Sequence, residues 1–390
     1  MLQKDISGQA HAPVRVRELL AHRIADGLGV PPAALFRGQF RLCDAPLSPI
    51  EGWCSLALGA RYLHACPDLR QYRILDLDGR LAGVVLGVAL DPDAGPGGAP
   101  LASVTQLDCR LDAPDMADRV EALIARLVGR FIALCCVPGA ARAYTDAAGD
   151  MGLLHDPGTG ILGSSLPVIL AREVEELPDF NHRAVLDGLG GYTLGYTRDR
   201  RVERLLPNHR LDLATMRATR FWPREDSLAA HEGIGIDAAA GAIIARLAQN
   251  VAGFQAIAPC LMPISGGQDS RILLGAAREH HARMAGFFGW HMHRQSRRDT
   301  ATGARIAERL GLDYTIIARI EATIDEVAAF YARTGQLATG TAFGKARRYR
   351  TDRSQCSFTT KIFSIRWNMT SFCSKTTFTA YTHADGRTIT

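Results

Sequence analysis

No apolar stretch in this 390-residue chain reaches the ~20 residues that a membrane-spanning helix needs. The longest, Leu81-Ala82-Gly83-Val84-Val85-Leu86-Gly87-Val88-Ala89-Leu90, is too short and reads as a strand. The start, Met1-Leu2-Gln3-Lys4-Asp5, has no apolar signal core, so secretion is not expected and a cytoplasmic protein without membrane contact is. The nine cysteines are an odd number without paired-motif spacing, which argues against a disulfide framework and against a zinc site. Cys135-Cys136 directly follows Phe131-Ile132-Ala133-Leu134 and reads as core strand. Lysine is scarce, with four in the whole chain, so the formal charge of +5 rests almost wholly on arginine. Few aromatic residues interleave the basic clusters Arg198/Arg200/Arg201 and Arg347/Arg348/Arg350/Arg353. Both clusters read as solvated surface, and no nucleic-acid partner is expected.

The length allows two domains, each with its own core. The first 175 residues carry short apolar runs bounded by glycine and proline, such as Tyr72–Leu77, Leu81–Leu90 and Phe131–Val137, which predict strands. One helix is marked there by Val120, Leu123, Ile124 and Leu127 on a single face. This part is expected to be α+β with much sheet. From about residue 180 the rhythm changes. Ile243, Ile244, Leu247 and Val251 mark a helix; Phe254–Ile264, Arg283–Gly289 and Tyr314–Ile317 are strand candidates; helices are expected from Ser270, from Asp299 to Gly311, and over Ile320–Arg333. Strand–helix alternation implies an α/β parallel sheet with covered faces.

Between the first of those strands and its helix lies Ser265-Gly266-Gly267-Gln268-Asp269-Ser270. No Gly-Lys-Ser/Thr follows the glycines, so this is not a Walker loop, and the Gly-x-Gly-x-x-Gly spacing of a dinucleotide fingerprint is missing. Glycines bring the main chain close to an anion, and a helix start aims free N–H groups and a positive dipole end at it. Ser265 and Ser270 add hydroxyl donors. Asp269 would repel a bare phosphate, so its presence calls for a divalent cation between them. Arg271 either reaches the same phosphates or faces solvent. Asp299 reads as a helix N-cap, with ligand contact as the alternative. His291 and His293 read as a surface turn rather than a metal pair.

Ser-Gly-Gly-x-Asp-Ser matches the pyrophosphate loop of enzymes that split ATP between its α- and β-phosphates. With it, the chain resembles the asparagine synthase superfamily. Asp299 with Ala304-Arg305-Ile306-Ala307-Glu308-Arg309-Leu310-Gly311 is similar to that family's next helix. Leu205-Leu206-Pro207-Asn208-His209 resembles its Leu-Pro-Pro-Gly-His segment, with Tyr192–Tyr196 at the helix end before it. Gly129-Arg130-Phe131-Ile132-Ala133, Asp146-Ala147-Ala148-Gly149 and Gly163-Ser164-Ser165 resemble elements of its amidotransferase half. The likeness spans about residues 70 to 345. It implies a degenerate N-terminal-nucleophile-like sandwich over 1–175, followed by an ATP-pyrophosphatase domain over 180–350. It further implies ATP and Mg²⁺ as cofactors, with Ser265, Gly266, Gly267, Gln268, Asp269 and Ser270 at the nucleotide and Asp269 on the metal. The activity implied is an AMP-forming carbon–nitrogen ligase acting on a small-molecule or peptide carboxylate.

The chain departs from the family in two places. The family's glutaminase half uses a cysteine with a free α-amino group, whereas residue 2 here is Leu2 and the first cysteine is Cys43; Cys43, Cys54 and Cys66 read as structural. Relatives with this loss, the β-lactam synthetases and lasso-peptide cyclases, use an amine already present in the substrate. The family's later Ser-Gly-x-Gly-x-Asp-Glu segment is not recognisable, and Gly340–Gly344 is a poor match, so no catalytic residue is assigned. The composition also changes over residues 351–390, where threonine, serine and phenylalanine dominate and Lys361, Lys375, Cys356 and Cys373 fall. This points to a frame-shifted or foreign tail and a truncated second domain. A catalytically inactive fragment is then the alternative to a working ligase, and a related transferase acting on tRNA is a third reading.

Overall fold

The computed structural model describes residues 18–44, 50–95, 98–186, 191–223, 233–291, 296–318 and 323–334. It is a mixed α+β structure with three sheets. Two short helices, α1 (Leu20–Gly27) and α2 (Pro32–Leu35), lead into strands β1 (Phe40–Cys43), β2 (Cys54–Leu58), β3 (Arg61–Ala65), β4 (Gln71–Leu75), β5 (Leu81–Asp91), β6 (Ala99–Pro100) and β7 (Val104–Gln106). Helix α3 (Met116–Arg126) follows, then β8 (Val128–Cys135), β9 (Arg142–Thr145), β10 (Leu154–Asp156), β11 (Ile161–Gly163), α4 (Leu166–Ile169) and α5 (His182–Leu186). Strands β12 (Glu203–Arg204), β13 (His209–Asp212) and β14 (Ala218–Arg220) complete this part.

These strands form two sheets. One runs β12-β10-β11-β1-β3-β2; the other runs β14-β13-β9-β8-β5-β4-β7, with β6 joined to β5. Both draw on residues as late as Arg204 and Arg220, past the boundary near 175–180 expected from composition. The sheets face one another. Phe40, Leu42 and Leu63 from the first meet Val84, Leu86, Ile132 and Leu134 from the second in one buried core. Residues of opposite parity on β5 and β8, such as Val85, Ala89, Phe131 and Ala133, pack instead under Val120, Leu123 and Ile124 of α3. Burial on both faces is why Leu81–Leu90 is almost continuously apolar rather than alternating. The outer face of the six-stranded sheet is covered by Leu20, Ala21 and Ala25 of α1, by Leu35 and Phe36, and by Leu166, Val168 and Ile169 of α4. The layers are therefore helix, sheet, sheet, helix. A cleft lined by Ile124, Leu127, Phe131, Thr145, Asn208 and Trp222 opens on the α3 side and contains none of the glycine-rich turn.

The far end of β5 leaves the inter-sheet core and meets the third sheet's layer. Helix α6 (Ile236–Ile257) lays Leu247, Val251 and Phe254 against Val88 and Leu90. Contact is close at Gly253, where a Cβ would stand 3.1 Å from Leu90 Cδ1. Beyond it come β15 (Leu261–Pro263), α7 (Gln268–Ala276), a 3₁₀ turn (Arg278–Arg283), β16 (Gly286–His291), α8 (Ser296–Leu310), β17 (Tyr314–Ala318) and α9 (Ile324–Thr334). β15, β16 and β17 are parallel and adjacent in that order. The expected strand from Phe254 is corrected here: Phe254–Ile257 is the last turn of α6, and only Leu261–Pro263 is strand. An apolar run buried on a helix and one buried in a sheet share the same composition, and only length separates them. Similarly, Arg283 lies in the 3₁₀ turn rather than at the start of β16. α9 returns to the first layers, where Gln39 Nε2 donates to Arg333 O at 3.0 Å and Arg333 Nη2 to Arg37 O at 2.7 Å. No helix among the described residues is long and apolar enough to cross a membrane. The arginines at 198, 200 and 201 pair with Glu175 and Glu176 on the surface, as a solvated cluster does. Arg347, Arg348, Arg350, Arg353, Gly340–Gly344 and the tail 351–390 lie outside the described residues.

A half-buried acid, Asp150, carries a testable pH dependence. Asp146 accepts backbone N–H bonds from Ala148 at 3.0 Å and Asp150 at 3.1 Å, tightening the turn after β9. Both carboxylate oxygens of Asp150 are enclosed without a hydrogen-bond partner. Burial, then the charge of Asp146, pushes Asp150 up to about 7, against the pull of Arg130. An acid raised on folding holds its proton in the native state while the unfolded chain has released it. Stability contributed by that proton is full below about pH 4 and falls as pH rises toward 7. Asp150→Asn is therefore expected to melt above the wild type at pH 8 and to converge with it near pH 4. Parallel pH profiles of the two melting temperatures would contradict this.

Candidate functional site

β15 ends where its neighbours force it to. Leu261, Met262 and Pro263 align with Gly286, Phe287 and Phe288, and Ile264 N still donates to Phe288 O at 2.9 Å. Pro263 lacks an N–H, which suits the outer side of an edge strand. After Ile264 the chain turns through Ser265, Gly266 and Gly267, and α7 begins at Gln268, two residues before the expected Ser270. The turn thus sits at the carboxyl end of a parallel strand and the amino end of a helix, where open α/β sheets place ligands.

The N-cap of α7 is Gly267, which has no side chain to accept from the first-turn amides of Gln268 and Asp269. Those donors point out of the helix start. Gly267, Gln268 and Asp269 are exposed, while Ser265, Gly266 and Ser270 are half-buried. Neither Gly266 nor Gly267 has positive φ. Glycine is required at 266 for space: a Cβ there would stand 2.9 Å from Asp299 Oδ1. The two serines hold the turn together. Ser265 N donates to Ser270 Oγ at 3.1 Å, the two hydroxyls lie 2.9 Å apart, and Gly267 N donates to Ser265 Oγ at 3.2 Å. Ser270 Oγ also lies within reach of Ser265 O and Gly267 O. Both hydroxyls, expected to point at phosphate, are thus engaged inside the loop. The uncapped amides are the more available donors. Arg271 folds back, its Nε donating to Gly267 O at 3.2 Å.

Asp269 is exposed and makes no hydrogen bond or ion pair among the described residues, which leaves both oxygens open. No cluster of three or more His, Cys, Asp or Glu side chains able to hold a metal is present among the described residues. Asp299 is corrected from helix N-cap: α8 begins at Ser296, so Asp299 lies within its first turn and beside Gly266. A second carboxylate, and a second helix start, are therefore next to the loop. His291 ends β16 and accepts from Arg297 Nε at 3.4 Å; His293 lies outside the described residues.

Tyr314 joins the site although its sequence context marks it only as strand. Its hydroxyl lies 3.2 Å from Ile264 O, at the loop's entrance, and 3.3 Å from Thr300 O in α8. The ring fits because Gly289 and Gly303 leave room. A Cβ at Gly289 would come within 2.0 Å of Tyr314 Oη, and one at Gly303 within 2.5 Å of it and 2.6 Å of Ile264 O. Burial, then the Asp299 charge, pushes the phenol up to about 12, so it stays a donor at neutral pH. The signal in the sequence is faint: an isolated glycine in a strand often marks close approach, and Gly289 is such a glycine.

No family model matches the chain, and no curated protein matches it in sequence.

Proposed function

We propose that the turn from Ser265 to Ser270 binds the phosphates of ATP, and that the chain is an AMP-forming amide ligase of the asparagine-synthase type. One observation carries the reading: an exposed, uncapped helix start at the carboxyl end of a parallel strand, flanked by Asp269 and Asp299. A helix start of this kind attracts anions through free N–H groups and the helix dipole. Two carboxylates beside an anion site fit only if a cation accompanies the anion, and Asp269 would hold Mg²⁺, with Asp299 beside Gly266 as the second acid next to the turn. The ion would supply charge neutralisation and alignment of the phosphate oxygens.

In this reading a substrate carboxylate oxygen attacks the α-phosphorus, the bond to the bridging oxygen breaks, and pyrophosphate leaves with that electron pair. An amine then attacks the acyl carbon, loses a proton, and AMP departs. In this reading the uncapped main-chain amides of Gln268 and Asp269 would donate to the leaving pyrophosphate, where preorganised donors lower a barrier. The facing sheets with helices outside are compatible with an amidotransferase-like sandwich. Cys43 is buried in the last position of β1, which favours an amine supplied by the substrate itself, as in the β-lactam synthetases and lasso-peptide cyclases, over ammonia released from glutamine.

The test is exchange of labelled pyrophosphate into ATP by the purified chain, with Mg²⁺ and a panel of amino-acid and peptide carboxylates. The reading expects exchange that requires both the metal and one class of carboxylate. ATP binding without exchange for any carboxylate would favour the inactive-fragment reading instead.

A further inference from the structure

Among the described residues, the six-stranded sheet contains a buried cation, Arg41, that meets no carboxylate and has the Cys43 side chain as its polar neighbour. Arg41 of β1 lies opposite His64 of β3, and His64 lies opposite Ser55 of β2, so the three form one row across the sheet. Their neighbours Leu42, Leu63 and Leu56 belong to the inter-sheet core. The row therefore faces the other way, into the helix-covered layer. Arg41 and His64 are each only 2% exposed. Nε and Nη1 of Arg41 and Nε2 of His64 are enclosed and have no hydrogen-bond partner, and neither residue forms an ion pair with a carboxylate among the described residues. Trp53, in the apolar layer over the same face, also has an enclosed indole N–H without an acceptor.

A guanidinium does not shed its proton in a protein, so burial leaves the charge in place. An unpaired buried charge is strongly unfavourable, and its usual remedy is an anion that also satisfies the N–H groups. The histidine fits that arrangement. Its Nδ1 lies 2.8 Å from the hydroxyl of Ser55, which is exposed on its other side. With that hydroxyl donating to Nδ1, the ring's proton sits on Nε2, which leaves His64 a free N–H in the same row as the guanidinium of Arg41. Burial, then the Arg41 charge, lowers His64 to about 4, so the ring is neutral and the site carries one positive charge.

We infer that Arg41 and His64 form an internal binding site for a small oxyanion, a carboxylate or phosphate group, on the helix-covered face of the six-stranded sheet. The site is separate from the glycine-rich turn, shares no residue with it, and does not depend on the ligase reading.

The test is thermal melting of the full chain titrated with inorganic phosphate and, separately, with acetate, ionic strength being held constant with chloride. A ligand that binds only the native state raises the melting temperature along a saturating curve. The wild type is expected to show such a curve with at least one of the two ions, and the one that acts identifies the group. Arg41→Met keeps the side chain's bulk and removes the charge. It is expected to lose the anion-dependent rise and to melt at or above the wild type in chloride alone. His64→Leu, which removes one donor and keeps the guanidinium, is expected to shift the curve at least ~10-fold toward higher anion concentration, the loss of about one charge-assisted hydrogen bond. Should Arg41→Met fail to fold, the His64→Leu shift decides the matter. The inference is overturned if neither ion gives a saturating rise, or if the curves of wild type and variants coincide.

Discussion

Asp269→Asn is expected to lower carboxylate-dependent ATP–pyrophosphate exchange at least ~100-fold, about 2.7 kcal/mol at ~1.36 kcal/mol per tenfold. Asp269 is exposed in the first turn of α7 and makes no bond within the described residues, so the substitution removes charge without removing a structural contact. The melting temperature should therefore stay close to that of the wild type. A carboxylate at a helix start is mildly favourable through the dipole, typically ~0.3–1 kcal/mol, which bounds the change in stability. A large loss of exchange at near-constant stability is the signature of a metal-holding group. Undiminished exchange would remove Asp269 from that role. Asp299→Asn is the informative companion: if the two acids act on one ion, the double variant should lose less than the product of the single losses.

The largest expected loss of stability is at Gly303. A methyl group there would approach Tyr314 Oη to 2.5 Å and Ile264 O to 2.6 Å. The phenol could tilt away, but Ile264 O is main chain at the end of β15 and cannot move without moving the loop. Gly303→Ala is expected to cost about 3 kcal/mol, the upper part of the usual overpacking range, despite alanine's better helix propensity, worth about 1 kcal/mol. Urea unfolding measures this. Adding Tyr314→Phe should recover part of the loss, since one of the two collisions is with the phenol oxygen. The contact with Ile264 O remains, so recovery should be incomplete. An unchanged or raised midpoint in Gly303→Ala would mean that α8 does not press on the end of β15. The same variant should weaken nucleotide binding, because the turn begins at the carbonyl that the methyl displaces.

Local pattern makes much of the architecture readable. The run Leu81–Leu90 is β5 over Leu81–Asp91, and the Val120, Leu123, Ile124 face is the buried side of α3. The expected strand at Tyr314–Ile317 is β17, and a turn lies between strand and helix as expected, although it spans only Ser265–Gly267 and Gln268–Ser270 already belong to α7. Periodicity and punctuation act within a few residues, and these features depend on nothing more distant. The elements that differ from expectation share the opposite property. Phe254–Ile257 is helix because α6 continues under Val88 and Leu90, a partner far away along the chain. The strands Glu203–Arg204 and Ala218–Arg220 are too short to show a period, and their identity comes from pairing with β10 and β13. Within the site, the strand-to-helix turn after Ile264 is legible because glycine punctuation between two apolar runs marks a turn locally. The roles of the two serines, the approach of Asp299 to Gly266, and the Tyr314 hydroxyl between Gly289 and Gly303 are not. Those depend on how α8 lies across the sheet, and no spacing along the chain encodes it.

The most direct measurement is the response of backbone amides to Mg²⁺ and ATP in ¹⁵N-labelled protein. Phosphate binding at the turn predicts saturable shifts largest at Gly266, Gly267, Gln268 and Asp269, much reduced when Mg²⁺ is withheld, with pyrophosphate alone plus Mg²⁺ reproducing most of them. Amides of this turn that stay in place while others move, or that do not respond at any ATP concentration, would contradict it.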